Sequence, residues 1–495
     1  MIKRNALSNL VGRLWGIVSL FAFVPFYISY LGSAGYGYIG FYNTLIAILA
    51  FADLGFSAAT TREFARLSDG TVEHETEKAR LLRSYEFLYL LISAIVALVI
   101  FLGANWIAHR WLISEPGTNV SHLIMLMGFS IALQLPTNLY VGALMGSEKQ
   151  VLANGLQIGW GLIRSAGVLP VLHYISNDLQ TFFIWQLLCN LIFLVVLYTL
   201  TWRKIKSTNK KFSTSILKKT YKYALGMAGM GVLASFATQI DKILVTKSFA
   251  IEIVGYYSLA ATLALIPLIL ITTLAKAAFP RLTRFKEKNQ FDDLKTLYLK
   301  LCKIANIAIL PLAIVLACYS HSIILIWTHS VAIADSTSAI VSLLMLAQGI
   351  QALTVLPFHL SLSYAYVRIN LFFSALMIIE IPCVYYLLMT NKGASDIALS
   401  VLITVVTVFI PYMYLLHSRL VPGVFRRWFT EIILTSTVCA IAIYIMTEVG
   451  IKDGHNLIIS VINGIITWFV LTILIFLTLG LRRISHVKRL FKGLN

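Results

Sequence analysis

Within the run NGLQIGWGLIR, Asn154, Gln157, Gly161 and Arg164 follow one another at steps of three, four and three residues. That spacing places all four on one face of an α-helix. Two amides, a small residue and a guanidinium can bind a ligand, but they include no nucleophile or metal-ligand set. An arginine deep in a lipid-embedded helix costs roughly 2.5 kcal/mol or more, so Arg164 needs a role. It either lines a polar cavity or closes an interhelical ion pair.

Other ionisable groups fall in apolar surroundings. Asn43, Ala47, Ala50, Asp53, Ser57 and Thr61 form one helical stripe, with Arg62 just beyond it. Asp53 is then a coupling group or half of a structural salt bridge. Arg13, one turn after Asn9, points into a cavity mouth or extends to the membrane surface. The same choice holds for Lys276, which shares a face with Thr262 and Thr273 across the kink expected at Pro267. Glu380 follows Asn370, Phe373 and Met377 and precedes Pro382, which frees a backbone carbonyl. A buried, unpaired glutamate holds its proton more tightly, so Glu380 suits proton exchange, or else it has a structural partner. Gln348 lies on one face with Ala352, Val355 and His359; lone histidines such as His359, His321 and His329 read as structural. In FATQIDKILVTKS, Asp241 and Lys242 flank a stripe of Ser235 and Thr238, about 100° apart on a helix. They form an outer gate or ion pair between lobes, or serve structure alone, with Lys242 free to extend outward.

Helices must position these groups. The 495-residue chain is 59% hydrophobic and 12% charged, against about 25% charged in soluble proteins, and its mean hydropathy is +0.83. Apolar runs near 20 residues match the hydrocarbon core of a bilayer. Fourteen such segments lie near 6–31, 36–66, 82–108, 119–146, 150–174, 178–203, 220–247, 252–280, 296–320, 333–360, 364–389, 394–418, 427–447 and 456–480. The expected fold is an all-α polytopic membrane protein of 14 transmembrane helices. The first segment ends in no small-residue cleavage site and is read as a retained span.

Charge orients the chain. Of 40 Lys and Arg, only Arg110, Lys247, Lys392 and Lys452 fall in loops opposite the N-terminal side. The basic side is cytoplasmic by the positive-inside rule, so both termini are expected there. The net charge of +19 is therefore topogenic and does not indicate nucleic acid. The basic loops 203–222 and 281–295 can also meet anionic lipid headgroups. The five Cys lie in or beside apolar segments without metal-ligand spacing. HExxH, GxxxxGK[ST] and GxSxG are absent, and no loop is long enough for a catalytic domain, so an enzyme, a cofactor and a metal are not expected. GMAGMG (226–231) reads as close helix packing.

The chain also repeats itself. YGYIGFYNTLIAIL (36–49) and VGYYSLAATLALIP (254–267) align at an offset that pairs Gly37 with Gly255, Tyr38 with Tyr256, Thr44 with Thr262 and Leu45 with Leu263. Arg66 then pairs with Arg284. The expected domains are an N-lobe of six helices (1–205), a cytoplasmic linker (206–219), a C-lobe of six helices (220–420), and an added helix pair with a basic cytoplasmic tail (421–495). Two repeated lobes around a cavity form a common transporter plan.

The stretch 239–285 resembles the seventh and eighth helices of polysaccharide-type flippases of the multidrug/oligosaccharidyl-lipid/polysaccharide (MOP) exporter superfamily. Asp241-Lys242 stands near one helix end, and Gly255-Tyr256-Tyr257 opens the next. YLGSAGYGYIGFYN (30–43) and ADLGFSAATTREFARL (52–67) are similar to that family's first helices. The resemblance implies a bacterial inner-membrane flippase for an undecaprenyl-diphosphate-linked oligosaccharide, most commonly an O-antigen repeat unit. Its lobes would alternate access between cytoplasm and periplasm, coupled to protons or another ion. A polysaccharide polymerase and a chain-length regulator would be partners. Under the resemblance Arg13, Arg62, Arg164 and Lys276 would hold the diphosphate, for which the arginine fork is well shaped. Asn154, Gln157, Trp160, Gln348 and Gln351 would meet sugars, while Asp53, Asp241, Lys242 and Glu380 would couple or gate. The alternatives are a peptidoglycan-precursor flippase, a small-molecule antiporter of the same superfamily, or a membrane polysaccharide polymerase.

Overall fold

The computed structural model describes residues 11–12, 15–67, 71–113, 119–205, 211–388, 393–449 and 457–478. Nearly all of them are helical, and the one strand-like feature among them is an isolated bridge between Ile113 and Ala250. Ten helices among the described residues are long and apolar enough to cross a membrane. The protein is a multi-pass membrane protein, as the hydropathy implied.

The helices are α1 (Val24–Leu49), α2 (Phe56–Arg66), α3 (Val72–Trp106), α4 (Val120–Gly146), α5 (Gln150–Ser165), α6 (Val168–Tyr174), α7 (Leu179–Lys204), α8 (Thr214–Ser248) and α9 (Ile251–Ala264). They continue as α10 (Ile266–Glu287), α11 (Phe291–Cys318), α12 (Ser320–Thr328), α13 (Val331–Leu353), α14 (Val355–Ser363), α15 (Arg368–Leu388), α16 (Ala394–Leu420), α17 (Val424–Glu448) and α18 (Leu457–Thr478). The expected segments recur, but several are broken or fused. α1 runs through Gly32, whose φ of 73° and ψ of 178° kink it, so one helix holds the end of the first segment and much of the second. The fifth segment splits into α5 and α6, the eighth into α9 and α10 before Pro267, and the tenth into α13 and α14 at Thr354.

The second segment carries the clearest correction. Its stripe from Asn43 to Thr61 required one continuous helix. Instead, Ala50–Asp53 form a 3₁₀ turn, and Leu54 and Gly55 take left-handed φ values of 50° and 72° before α2 starts. Two successive left-handed residues rotate the chain out of helical register. Asp53 takes part in this break, accepting from the Ser57 hydroxyl at 2.7 Å in the first turn of α2.

Two compact units divide the chain, Met1–Ser258 and Leu259–Asn495, with the boundary inside α9. In the first unit α3 packs on α4 and α4 on α7, around Phe56, Leu82, Tyr85, Tyr89, Tyr140 and Leu197. Buried Glu86 of α3 ties these helices together. It accepts from Tyr140 Oη of α4 at 2.9 Å, Trp202 Nε1 of α7 at 2.5 Å and Arg83 at 3.0 Å. Removing one partner of a buried charged network leaves the others stranded, at a cost of about 3 kcal/mol. Glu86→Ala is therefore expected to lower the midpoint of detergent unfolding sharply, whereas Glu86→Gln keeps an acceptor and loses less. Equal midpoints for wild type and Glu86→Ala would remove this cluster from the forces holding the unit.

The first unit also joins the two halves of the sequence repeat. A Cβ on Gly37 would lie 1.9 Å from the Ile251 carbonyl oxygen, and one on Gly255 would lie 2.2 Å from the Ser33 carbonyl oxygen. Each glycine thus meets the carbonyl four residues before the other. The paired repeat positions cross in an approximate two-fold arrangement that no side chain could enter.

The second unit holds α10 to α18 and the end of α9. Its core gathers Tyr298, Leu301, Met413, Leu416 and Trp428. The last two helices, α17 and α18, pack on α11, burying Ile307, Tyr319, Cys439 and Leu471.

Candidate functional site

The amphipathic face expected around Arg164 exists on α5. Asn154 is buried, 3.5 Å from where a Cβ on Gly12 would stand, and the Gln157 amide donates to the Ala153 carbonyl at 3.4 Å. Arg164, partly buried, stands in the last turn of α5. Its Nε donates to Gln186 Oε1 of α7, and its Nη2 lies 3.5 Å from the Tyr42 hydroxyl of α1. The guanidinium carbon sits 5.1 Å from the Trp160 ring centre and 5.9 Å from that of Tyr42. Among the described residues no carboxylate forms an ion pair with Arg164, so the interhelical ion pair is not the arrangement found.

Neutral groups instead form a cradle for the charge. Aromatic faces attract a cation by about 0.5–2 kcal/mol, and Gln186 supplies a fixed acceptor. Tyr42 is held in turn by Ser130 Oγ at 2.9 Å, and Ser130 Oγ accepts from Asn190 Nδ2 at 2.8 Å. Trp160 stacks on Phe193 with centroids 4.7 Å apart. Among the described residues the cradle of Arg164 is built from neutral groups alone.

Sequence reasoning missed Gln186, Tyr42, Ser130 and Asn190. A signal for two of them exists: Gln186 and Asn190 are one turn apart in the otherwise apolar run FIWQLLCN. Tyr42 and Ser130 had none, because their value lies in partners from other helices.

The other candidates are dispersed. Arg13 lies outside the described residues. Arg62 is 71% exposed at its side chain and pairs with Glu63 at 2.9 Å. Lys276 is exposed on α10. Gln348 is partly buried, with Oε1 lacking a hydrogen-bond partner among the described residues. Asp53 accepts from Tyr89 Oη at 2.6 Å as well as from Ser57, with no ion pair among the described residues. Glu380 of α15 accepts from the Thr407 hydroxyl of α16, likewise without a paired cation. His359 bonds the Val355 carbonyl at 2.9 Å, the structural use expected of it.

Asp241 and Lys242 do touch. Asp241 is buried, accepts from Tyr257 Oη at 2.9 Å, and lies 3.7 Å from Lys242 Nζ. Lys242 curls back to the Thr238 carbonyl at 3.4 Å instead of extending beyond the helix end. Its four-carbon stem spans the angle between neighbouring Cβ directions. Asp53, Glu86 and Asp241 thus share one device, a carboxylate held by a tyrosine hydroxyl from another helix.

Among the described residues the chain is a nearly all-helical multi-pass membrane protein with polar groups buried inside its helical units. Solved structures agree on the fold. The Lipid II flippase MurJ in an inward closed conformation superposes with a TM-score of 0.72 at 14% identity, covering 96% of this chain and 99% of that one. An inward-facing multidrug resistance MATE family transporter of the MOP superfamily gives 0.63 at 14% identity, over 84% of this chain and 95% of its own. A Shigella flexneri protein named as an O-antigen transporter is 23% identical over 405 residues, 81% of this chain and 94% of its own length. The profile of the family described as polysaccharide biosynthesis protein matches residues 30–330. The chain belongs to that polysaccharide biosynthesis protein family.

Proposed function

We propose that the protein is a flippase that carries an undecaprenyl-diphosphate-linked oligosaccharide, such as an O-antigen repeat unit, from the cytoplasmic to the periplasmic leaflet of a bacterial inner membrane. The observation that carries this reading is Arg164: a partly buried guanidinium cradled by neutral groups and without a carboxylate partner among the described residues. A diphosphate supplies the missing negative charge, and the arginine fork can take two of its oxygens. Asn154 and Gln157, on the same face, offer amides to the adjoining sugar.

Transport by alternating access would use 14 helices in two six-helix lobes and an added pair, with cytoplasmic termini. Glu380, partnered by a hydroxyl, suits coupling to protons, and Asp241 with Lys242 suits a gate. A polymerase and a chain-length regulator would take up the cargo. The test is reconstitution: purified protein in liposomes should move a fluorescent undecaprenyl-diphosphate oligosaccharide between leaflets. Movement of a peptidoglycan precursor or of a small cation alone would replace this cargo assignment.

The cradle makes a sharper expectation. Gln186→Glu preserves shape but places a carboxylate on Arg164. It should lower translocation about tenfold, because the new pair competes with the diphosphate, whereas Gln186→Ala should cost severalfold less. Equal rates for wild type and Gln186→Glu would sink the anion role of the cradle.

A further inference from the structure

The second unit contains a cavity of about 210 Å³ that the anion site does not use. α10, α13, α14, α15 and α16 wall it, and no charged side chain is among its lining residues. Phe358, Phe373 and Tyr412 provide aromatic faces, and Gln351, Asn370 and Ser374 bring neutral polar groups. Asn370 is fixed in place: its Nδ2 donates to Ser361 Oγ at 2.8 Å, and its Oδ1 accepts from Tyr412 Oη at 2.8 Å. That leaves one N–H and one lone pair of the amide for a ligand. Gln351 stands at the end of α13, where the helix breaks at Thr354. Among the described residues neither the Gln351 carboxamide nor the Ser374 hydroxyl bonds to another protein group.

These features select a ligand. The absence of charge excludes the diphosphate. An isoprenoid chain would satisfy the aromatic walls but would strip Gln351 and Ser374 of water, at about 1–3 kcal/mol for each unpaired group. A pyranose ring has apolar C–H faces for the rings and hydroxyls for the three polar groups. The volume lies below the roughly 300–1,000 Å³ of drug-sized sites, which limits the cavity to one ring. We propose that this cavity binds one neutral sugar residue of the cargo, as a site separate from Arg164. The proposal rests on the flippase reading for its choice of ligand.

The test uses the full chain in nanodiscs and saturation-transfer NMR with glucose, galactose, rhamnose and N-acetylglucosamine as probes. Wild type should give transfer to at least one of these sugars. Gln351→Leu, which removes the amide, and Ser374→Leu, which fills the space, should each reduce it about tenfold. Both cavity variants are first checked for an unaltered size-exclusion profile, and Gln351→Leu alone decides the case if Ser374→Leu fails to fold. The proposal is overturned by no transfer from wild type, by undiminished transfer in the cavity variants, or by full displacement of the sugar by undecaprenol. Loss of sugar binding with intact lipid translocation would overturn the cavity assignment and spare the flippase. Intact sugar binding in a protein that moves no such lipid would overturn the flippase reading and spare the cavity.

Discussion

Arg164→Ala abolishes lipid translocation in reconstituted liposomes, with a loss of at least about tenfold, equivalent to about 1.4 kcal/mol, while the protein is still produced and inserted. The substitution removes the charge and the fork together, and it leaves Gln186 Oε1 and the Trp160 ring facing empty space. Arg164→Lys separates the two effects. It keeps the charge but offers a compact ammonium that cannot bind two oxygens at once. Lysine should therefore restore part of the rate and retain salt sensitivity, where alanine restores nothing. The assay reads initial rates of a fluorescent lipid-linked oligosaccharide at several ionic strengths. Wild-type transport by Arg164→Ala would remove Arg164 from the substrate path and, with it, the central support for the function proposed.

Gly37→Val prevents the close crossing of α1 and α9. A Cβ at this position would stand 1.9 Å from the Ile251 carbonyl oxygen and 2.9 Å from its carbon. Both are backbone atoms, so no rotamer change relieves the overlap and the two helices must separate. Overpacking of this kind costs about 1–3 kcal/mol. The same result is expected for Gly255→Val, whose Cβ would meet the Ser33 carbonyl. Because both contacts belong to one crossing, separation forced by the first valine relieves the second. The double variant should then be little worse than either single one, a strong departure from additivity. Unfolding midpoints and translocation rates of the three variants measure this. Wild-type behaviour of Gly37→Val, or additive losses in the double variant, would contradict the geometry. Bringing a repeat pair into one reciprocal contact also gives the internal repeat a structural meaning: both halves need a glycine where the backbones meet.

What the sequence determined by itself was everything governed by neighbours within a turn or two. Runs of apolar residues near bilayer length specify helices, since a chain in lipid must satisfy its backbone polar groups internally. Val120–Gly146 and Leu179–Lys204 were each bounded within a residue at both ends. The face of Asn154, Gln157 and Arg164 was legible for the same reason, because helical periodicity is local. Tertiary structure decided which groups meet. Arg164 receives Gln186 from 22 residues away and Tyr42 from 122 away, and no spacing rule reaches across such intervals. It also decided that Asp53 belongs to a helix break and to Tyr89, that Lys242 turns back toward Asp241, and that Gly37 faces the carbonyl before Gly255. A charge in an apolar run announces that a partner is required, because leaving it unpaired is costly. Which partner answers depends on how the helices pack, and for Arg164, among the described residues, the packing supplied aromatic rings and an amide, not the carboxylate of the ion-pair alternative.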